Sequence, residues 1–285
     1  MNDPEIDCGF AEHHLKSWED FGTFIATSHS DNNAFIYRGQ GDATWRIEST
    51  LDRLERRFPT KKGPFGRNLN RTPATRDVHL EAFKEAVRGK RGPSPHELSE
   101  NEWWALAQHH GLATPLLDWS YSPFVALFFA FEEEGFINPI EKKFYEPSAR
   151  AVCVVPFHLI TENATKEQPS PSIFSPRREI TNRLGSQSGV FMNMPKGTDL
   201  EANVRARFPT ESSKSDLQAR PILTRIVIPN RGRTSCLKFL NKMNINRMSL
   251  FPDLDGASQF INALWELNFD TPLGQLPDGQ SKDAK

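Results

Sequence analysis

One run of this sequence is apolar on every side of a helix. Residues 124–131 read FVALFFAF, and the preceding Ser122 and Pro123 are typical of a helix N-cap and a first helical residue. Gly135 is the expected end of the helix. A helix that is apolar around its whole circumference has no face suited to water, so the chain must bury it against other elements.

A second helix is predicted just before this segment. Ser99 and Glu102 have the spacing of a capping box, and helical periodicity then continues to a stop at Gly111. The residues expected to share one face of this helix are Trp103, Leu106, Ala107 and His110. Residues 114–118 then predict a short extended piece that leads into the apolar helix.

Polar residues collect on the hinge between these two helices. They are His109, His110, Thr114, Asp118, Ser120 and Ser122. Polar side chains beside a buried helix predict a pocket, and the N-terminus of that helix could hold an anion. Ordinary structural roles stay open as well: His110 as a satisfied core histidine and Asp118 as a cap of the turn.

The stretch FIYRGQGDATW, residues 35–45, places a single arginine at the end of an apolar strand. An unpaired charge at that position is costly, so Arg38 either pairs with a carboxylate such as Asp118 or binds an anionic ligand. A guanidinium can fork onto phosphate with paired hydrogen bonds. Gly39 and Gly41 would let such a ligand approach the backbone closely.

The remaining patterns predict a protein of mixed secondary structure. Residues 11–27 have helical spacing, residues 190–194 are strand-like, and residues 221–229 alternate as a strand between prolines. We expect an α+β fold with a mixed, mainly antiparallel central sheet flanked by helices.

Composition divides the chain into three regions: an N-terminal helix within residues 1–29, one domain over 30–269 and a disordered tail over 270–285. Polar loop insertions are expected near 59–76, 161–182 and 196–219. The loop at 59–76 is basic, so it is the expected arm if nucleic acid is bound, although a solvated surface loop is the commoner outcome for such a run.

Two aspartates near the C-terminus raise the question of a metal. Asp253 and Asp255 precede a helix predicted over residues 257–267. Two carboxylates at this spacing could bind a divalent ion, but aspartate is common at helix N-caps, and we favour capping. No third ligand is identifiable, so no metal is assigned.

Charge and cysteine content argue against several classes of protein. The formal net charge of -1 disfavours nucleic-acid binding by bulk electrostatics. Cys8, Cys153 and Cys236 are scattered and lack CxxC spacing, so they indicate neither a disulfide framework nor a zinc site. The start MNDPEIDCGF lacks the basic-then-apolar pattern of a signal peptide, and no window approaches the roughly 18 apolar residues of a membrane span. A cytoplasmic location is expected.

Three blocks of the chain resemble the FRG domain family, which is named for an aromatic-Arg-Gly motif. They are YRG at 37–39, QHHGLATPLLDWSYSPFVALFFAF at 108–131 and SLFPDLDG at 249–256. Their order and spacing resemble the family over most of residues 30–260. Pro115 departs from the family pattern, which often has a basic residue there, so any role of that side chain is missing.

The segment order is similar, more distantly, to the ADP-ribosyltransferase fold, in which an arginine on an early strand approaches the phosphates of NAD. Arg38 matches this role, so the resemblance implies NAD as the substrate and either transfer or hydrolysis at its nicotinamide-ribose bond. The residues expected to contact NAD are Tyr37, Arg38, Gly39, Gln40, His110, Gly111, Thr114, Ser120 and Ser122. The expected catalytic residues are His109, Asp118, Glu179 and Gln187, the last two as candidates for the glutamate that such enzymes carry near a late strand.

Analogy with such enzymes also implies a bacterial toxin or phage-defence effector, with an antitoxin as a candidate partner and no membrane partner. A nucleotide-sensing or partner-binding module without turnover would use the same pocket. A nuclease built from His109, Asp118, Asp253 and Asp255 is disfavoured because its carboxylates lie in separate segments. The sequence does not identify the acceptor of an ADP-ribosyl group.

Overall fold

The computed structural model describes residues 6–29, 35–58, 74–92, 95–138, 141–158, 160–176, 185–208 and 221–267. The strands are β1 (Phe10–His14), β2 (Phe35–Gln40), β3 (Leu116–Ser120), β4 (Phe136–Ile137), β5 (Phe144–Tyr145), β6 (Ala149–Pro156), β7 (Ser172–Phe174), β8 (Gly189–Asn193) and β9 (Leu223–Pro229). The helices are α1 (Asp20–Ser28), α2 (Thr50–Arg57), α3 (Ala74–Ala86), α4 (Glu100–His109), α5 (Pro123–Phe131), α6 (Leu200–Arg207), α7 (Arg233–Lys242), α8 (Arg247–Leu250) and α9 (Leu254–Glu266).

A seven-stranded sheet in the order β1-β9-β6-β2-β3-β8-β7 forms the centre of the fold. β1 and β9 run parallel, and the other neighbouring strands of this sheet run antiparallel. β4 and β5 form a separate antiparallel pair. The expected α+β fold, with a mixed and mainly antiparallel sheet flanked by helices, is confirmed.

The apolar helix α5 packs across the central strand β2. Its buried residues are Val125, Ala126, Leu127, Phe128, Ala130 and Phe131, which confirms that it belongs to the core. A Cβ atom on Gly39 would clash with the carbonyl oxygen of Ala126 and lie 2.6 Å from the amide nitrogen of Ala130. A Cβ atom on Gly41 would likewise clash with the ring of Phe136. The two glycines therefore serve packing, and the close approach of a ligand that the sequence suggests at them stays a prediction.

Two arginines cap the C-terminal end of α5. Arg150 is fully buried and donates to the carbonyl oxygens of Ala130 at 3.2 Å and Glu134 at 2.8 Å. Arg233 donates from Nε to the carbonyl oxygen of Phe131 at 2.8 Å. The helix thus ends at Phe131, before the expected end near Gly135, and its orphan carbonyls are satisfied by cations.

The other face of the sheet covers a second core. Its buried residues include Ile36, Ile47, Leu117, Trp119, Val155, Val190, Leu200 and Val204. A third cluster joins α4 to β3 and β8 through Leu51, Leu80, Trp104, Ala105, Leu116 and Phe191. The strands β2 and β3 therefore have helices and core on both faces, which fixes the positions of the residues at their ends.

Two local predictions were wrong. Residues 10–14 form β1, and α1 begins only at Asp20, so the helix expected over 11–27 is shorter. The cause is long-range pairing, because Phe10 lies opposite Leu223 of β9 and the sheet overrides the helical spacing. The polar segment 196–219 contains a helix, α6, whose N-cap Asp199 accepts from the amide of Ala202 at 2.9 Å.

The remaining loop predictions fall partly outside the described residues. Residues 59–73 of the basic loop, Glu179 and the expected tail over 270–285 all lie outside them. Residues 74–76 belong to α3, and the segment 161–176 contains the short strand β7.

Several local predictions are confirmed. The capping box of Ser99 and Glu102 starts α4, and Ser122 caps α5 by accepting from the amide of Val125. Asp253 caps α9 by accepting from the amide of Gly256 at 2.8 Å, although the helix starts earlier than expected. Within the described residues, every helix is too short or too polar to span a bilayer.

Candidate functional site

The central sheet splits between β2 and β3. β2 pairs with β6 along its whole length, from Phe35 to Gln40, but its register with β3 contains only the pair Tyr37 and Ser120. Beyond this pair the two strands diverge. A cleft of about 490 Å³ lies at the split, a size typical of small-molecule sites.

Aromatic and charged side chains line this cleft together. The aromatic residues are Tyr37, Trp45, Trp119, Phe129, Phe136, Phe191 and Phe251. The charged residues are Arg38, Arg46, Glu48, Arg53, Asp118 and Glu133. Flat apolar surfaces next to charges suit a ligand that carries both planar rings and ionised groups.

Arg38 bridges the split. Its Nη1 donates to the main-chain carbonyl oxygen of Asp118 at 2.6 Å, while its buried Nε has no hydrogen-bond partner. Burial lowers the pKa of Arg38, and the negative charge of Asp118 opposes that effect. Among the described residues, no carboxylate forms an ion pair with Arg38. The buried Arg38–Asp118 side-chain pair considered from sequence is therefore replaced by a contact to the backbone.

A short chain of hydrogen bonds orients the carboxylate of Asp118. Gln108 donates from Nε2 to Oδ1 of Asp118 at 2.7 Å. The Oε1 of Gln108 accepts in turn from the hydroxyl of Thr114, which is fully buried. Gln108 was missed as a site residue, although its position at the start of the block QHHG was an available signal.

Asp118 is exposed to the cleft but is otherwise surrounded by protein. This loss of hydration raises the pKa of Asp118, while the charge of Arg38 and the hydrogen bond from Gln108 act in the opposite direction. The net result is a carboxyl group that binds a proton at higher pH than an ordinary aspartate does. Such groups are common where proton transfer occurs.

The two histidines lie at the end of α4 with their ring centroids 5.1 Å apart. His109 lines the cleft and is exposed. His110 is the C-cap residue and is exposed outside the cleft lining, so the core role considered for it is wrong. The buried residues of α4 are Trp104, Ala105 and Ala107, so Ala107 is buried as expected, whereas Trp103 and Leu106 are only partly buried. Gly111 follows with φ of 84°, a conformation that favours glycine.

Some residues predicted to contact a ligand form hydrogen bonds within the protein around the cleft. Ser120 donates from Oγ to the carbonyl oxygen of Gln187 at 2.7 Å and accepts from the amide of Ser122 at 3.0 Å. Thr114 and Ser122 do not line the cleft, whereas Ser120 does. Gln187 also lines it, and its Nε2 donates to the carbonyl oxygen of Leu250 at 3.2 Å.

The turn that follows β2 is held by Gln40. Its Nε2 lies 3.4 Å from the carbonyl oxygen of Trp45 and 3.3 Å from that of Arg46. Gln40, Tyr37 and Gly39 line the cleft, as predicted for ligand-contacting residues, and this contact with a ligand stays a prediction.

A side cavity of about 310 Å³ adjoins the cleft. Both cavities are lined by Arg38, Glu48, Arg53, Gln108 and Asp118. Arg53 was also missed from sequence, because only the tertiary fold brings α2 next to the end of β2. Among the described residues, no group of three or more His, Cys, Asp or Glu side chains is arranged to hold a metal ion.

Residues 33–136 match the model of the FRG domain family. No curated protein and no solved structure matches the chain. The matched segment contains Arg38, Gln108, His109 and Asp118, and so most of the polar wall of the cleft. β6, β8 and β9 lie beyond it but complete the same sheet, and the limits of 30–269 for one domain stay a prediction. Residues 33–136 of this chain therefore belong to the FRG domain family.

Proposed function

We propose that the cleft binds NAD and that the protein is an NAD-consuming enzyme, an ADP-ribosyltransferase or an NAD hydrolase. The observation that carries this proposal is the hydrogen bond from Arg38 to the main-chain carbonyl oxygen of Asp118 at the split between β2 and β3. A guanidinium suits the diphosphate of NAD, and a carboxylate suits the ribose carbon that becomes cationic when nicotinamide leaves. The two groups lie next to each other in one cleft.

The guanidinium of Arg38 has hydrogen-bonding capacity left for an anion. Arginine has five N–H donors in a planar fork, and the bond to the carbonyl oxygen of Asp118 uses one of them. A buried donor without a partner costs free energy, so a phosphate that accepts from this guanidinium is favoured twice, by charge and by hydrogen bonding.

The proposed reaction breaks the bond between the nicotinamide nitrogen and C1′ of the ribose. The electron pair of that bond leaves with nicotinamide, whose ring nitrogen loses its positive charge. C1′ then bonds to an oxygen or nitrogen of the acceptor, or to water, and the acceptor loses a proton. The carboxylate of Asp118 stabilises the positive charge that develops at C1′, and its raised pKa suits it to receive the proton.

The roles of the other candidates follow from their positions. His109 and Gln187 line the same cleft and are proposed to position the acceptor. The aromatic wall, in which the rings of Trp45 and Phe136 lie 4.5 Å apart, is proposed to hold the planar rings of the substrate. Glu179 remains a candidate from sequence and lies outside the described residues.

The biological setting rests on analogy with ADP-ribosyltransferases. A bacterial toxin or phage-defence effector acting in the cytoplasm is the proposed role. A macromolecular acceptor, nucleic acid bound through the basic loop at 59–76, and an antitoxin partner belong to the same proposal.

The direct test is to incubate the purified protein with labelled NAD and measure nicotinamide release, with and without cell lysate as a source of acceptors. Release that is lost in Asp118→Asn supports an enzyme. Release that is equal in the variant and the wild type contradicts the role given to Asp118, and the absence of release from folded protein contradicts the enzyme itself.

The second candidate function is a nucleotide-sensing module without turnover. The hydrogen bond from Gln187 to the carbonyl oxygen of Leu250 favours it, because this bond commits the amide nitrogen to the fold. Binding of NAD without nicotinamide release over hours would select this candidate.

A further inference from the structure

The cleft and the side cavity are two adjoining chambers that share Arg38, Glu48, Arg53, Gln108 and Asp118 in their walls, and we call this shared wall the junction. The larger chamber, of about 490 Å³, has the aromatic wall described above. The smaller one, of about 310 Å³, is lined on its own side by Thr50, Gly111, Leu112, Ala113, Leu116 and Leu117. Each chamber has a volume that suits one ring-bearing group.

The junction has two guanidinium groups with capacity to bind an anion. Glu48 is neutralised there by a two-point ion pair with Arg56, at 2.5 and 2.6 Å. Among the described residues, Arg38 donates a side-chain hydrogen bond only to the carbonyl oxygen of Asp118, and Arg53 makes no side-chain hydrogen bond or ion pair. Burial is the main cause that lowers the pKa of Arg38, and the positive charge of Arg53 acts weakly in the same direction. A bound anion between them would relieve this repulsion.

We propose that Arg38 and Arg53 together bind a diphosphate at the junction, so that the ligand is a dinucleotide with one nucleoside in each chamber. Arg53 then distinguishes dinucleotides from mononucleotides. A mononucleotide fills one chamber and is held by Arg38, whereas a diphosphate carries a second anionic group for Arg53. This inference rests on the proposed function, to which it adds the second phosphate-binding residue and the mode of binding.

The helix α2 supplies a matched control for Arg53. Arg57, one turn further along, lies over the ring of Phe58 at 5.2 Å and lines neither chamber. Arg53→Gln and Arg57→Gln therefore remove the same charge from the same helix, inside and outside the junction. Arg53 is exposed, so Arg53→Gln is expected to fold, and Arg53→Lys provides a second variant that keeps the charge but loses the fork.

The experiment measures dissociation constants by calorimetry for NAD, ADP-ribose, AMP and nicotinamide mononucleotide. Arg53→Gln is expected to raise the dissociation constants of NAD and ADP-ribose roughly 10- to 100-fold, the scale of a lost charge-assisted contact. The dissociation constants of the two mononucleotides should change by less than about 3-fold. Arg53→Lys should fall between Arg53→Gln and the wild type. Arg57→Gln should match the wild type with all four probes.

Three results would overturn the inference: an equal loss for mononucleotides and dinucleotides, an unchanged affinity for NAD in Arg53→Gln, or a wild-type protein that binds AMP as tightly as NAD. Nicotinamide release is measured separately, so the two proposals can fail independently. Dinucleotide selectivity without nicotinamide release would leave this inference standing and refute the enzyme. Nicotinamide release combined with an NAD affinity that does not depend on Arg53 would support the enzyme and refute this inference.

Discussion

The Nη1 atom of Arg38 donates a hydrogen bond of 2.6 Å to the main-chain carbonyl oxygen of Asp118, across the gap between β2 and β3. A side chain thus joins two strands at the point where their ladder stops. The same contact brings the cation next to the residue whose carboxylate faces the cleft. Structure and proposed chemistry therefore depend on one guanidinium.

Arg38→Lys keeps the charge and loses the planar fork. We expect NAD to bind more weakly by about 1–3 kcal/mol, the scale of charge-assisted hydrogen bonds, with calorimetry as the measurement. Arg57→Lys, outside the cleft, is the matched control and should bind NAD as the wild type does. An unchanged affinity in folded Arg38→Lys would rule out a phosphate contact.

Asp118→Asn keeps an oxygen that can accept from Gln108 and removes the charge. We expect nicotinamide release to fall by roughly 10²-fold or more, the scale of losing one positioned stabilising group, while NAD still binds. The free energy of unfolding should not fall, because desolvation raises the pKa of Asp118 and so disfavours its ionised form in the fold.

The pH dependence gives a second measurement on Asp118. A raised pKa means that Asp118 holds more proton in the folded protein than in the unfolded chain between the ordinary aspartate value of 3.8 and its folded pKa. Its contribution to stability therefore declines as pH rises through this window. Thermal melting at several pH values should show a smaller decline in Asp118→Asn. A loss of several degrees with activity retained would instead assign Asp118 to the fold.

Glu132 is predicted to make stability depend on pH near neutrality. Its side chain is buried against Arg247 and Glu133, near Arg233, and burial raises its pKa to about 7 from 4.5. Between these values the folded state holds a proton that the unfolded state releases. The free energy of unfolding should therefore fall by up to roughly 3 kcal/mol as pH rises from 4.5 through about 7.

The test for Glu132 compares urea unfolding of the wild type and Glu132→Gln across this pH range. The variant should show a flatter profile. Glu134→Gln is the control, since Glu134 is exposed and is not among the charges that shift the pKa of Glu132. Equal slopes in Glu132→Gln and the wild type would mean that Glu132 stays ionised throughout.

Gly39→Ala tests whether this position serves packing. A Cβ atom there meets the backbone of α5, which cannot yield without moving the helix, so we expect a loss of at least 1–3 kcal/mol, the scale of overpacking, or no folded protein. Gly111→Ala is the comparison, because its surroundings are open and only its φ of 84° is unfavourable, at roughly 1 kcal/mol. Similar small losses in both variants would contradict the packing role.

Structural features that depend on residues close together in the chain could be predicted from the sequence. Ser99 with Glu102, Ser122 with Pro123, and Asp253 mark helix starts because a cap and the amide that it binds are neighbours in the chain. The burial of α5 followed in the same way from its own composition.

Features that depend on distant pairing were not recovered. Helical spacing predicts a helix where β1 forms, because the partner strand β9 lies more than two hundred residues further along and pairs Leu223 with Phe10. The hydrogen bond from Gln108 to Asp118 and the place of Arg53 at the junction depend on how strands and helices meet in space. The sequence motifs indicated which segments form the cleft, but only the tertiary contacts determine which residues of those segments line it.

The burial of most of α5 has a consequence for how such a cleft can change during evolution. Ala126 and Phe129 line the cleft from this helix, while its other sides fill the core and its end is capped by Arg150 and Arg233. A substitution that reshapes the cleft from α5 therefore also disturbs folding. New ligand preferences can arise at lower cost at Arg46 and Arg53, whose side chains are exposed, reach the cleft and belong to none of the core clusters.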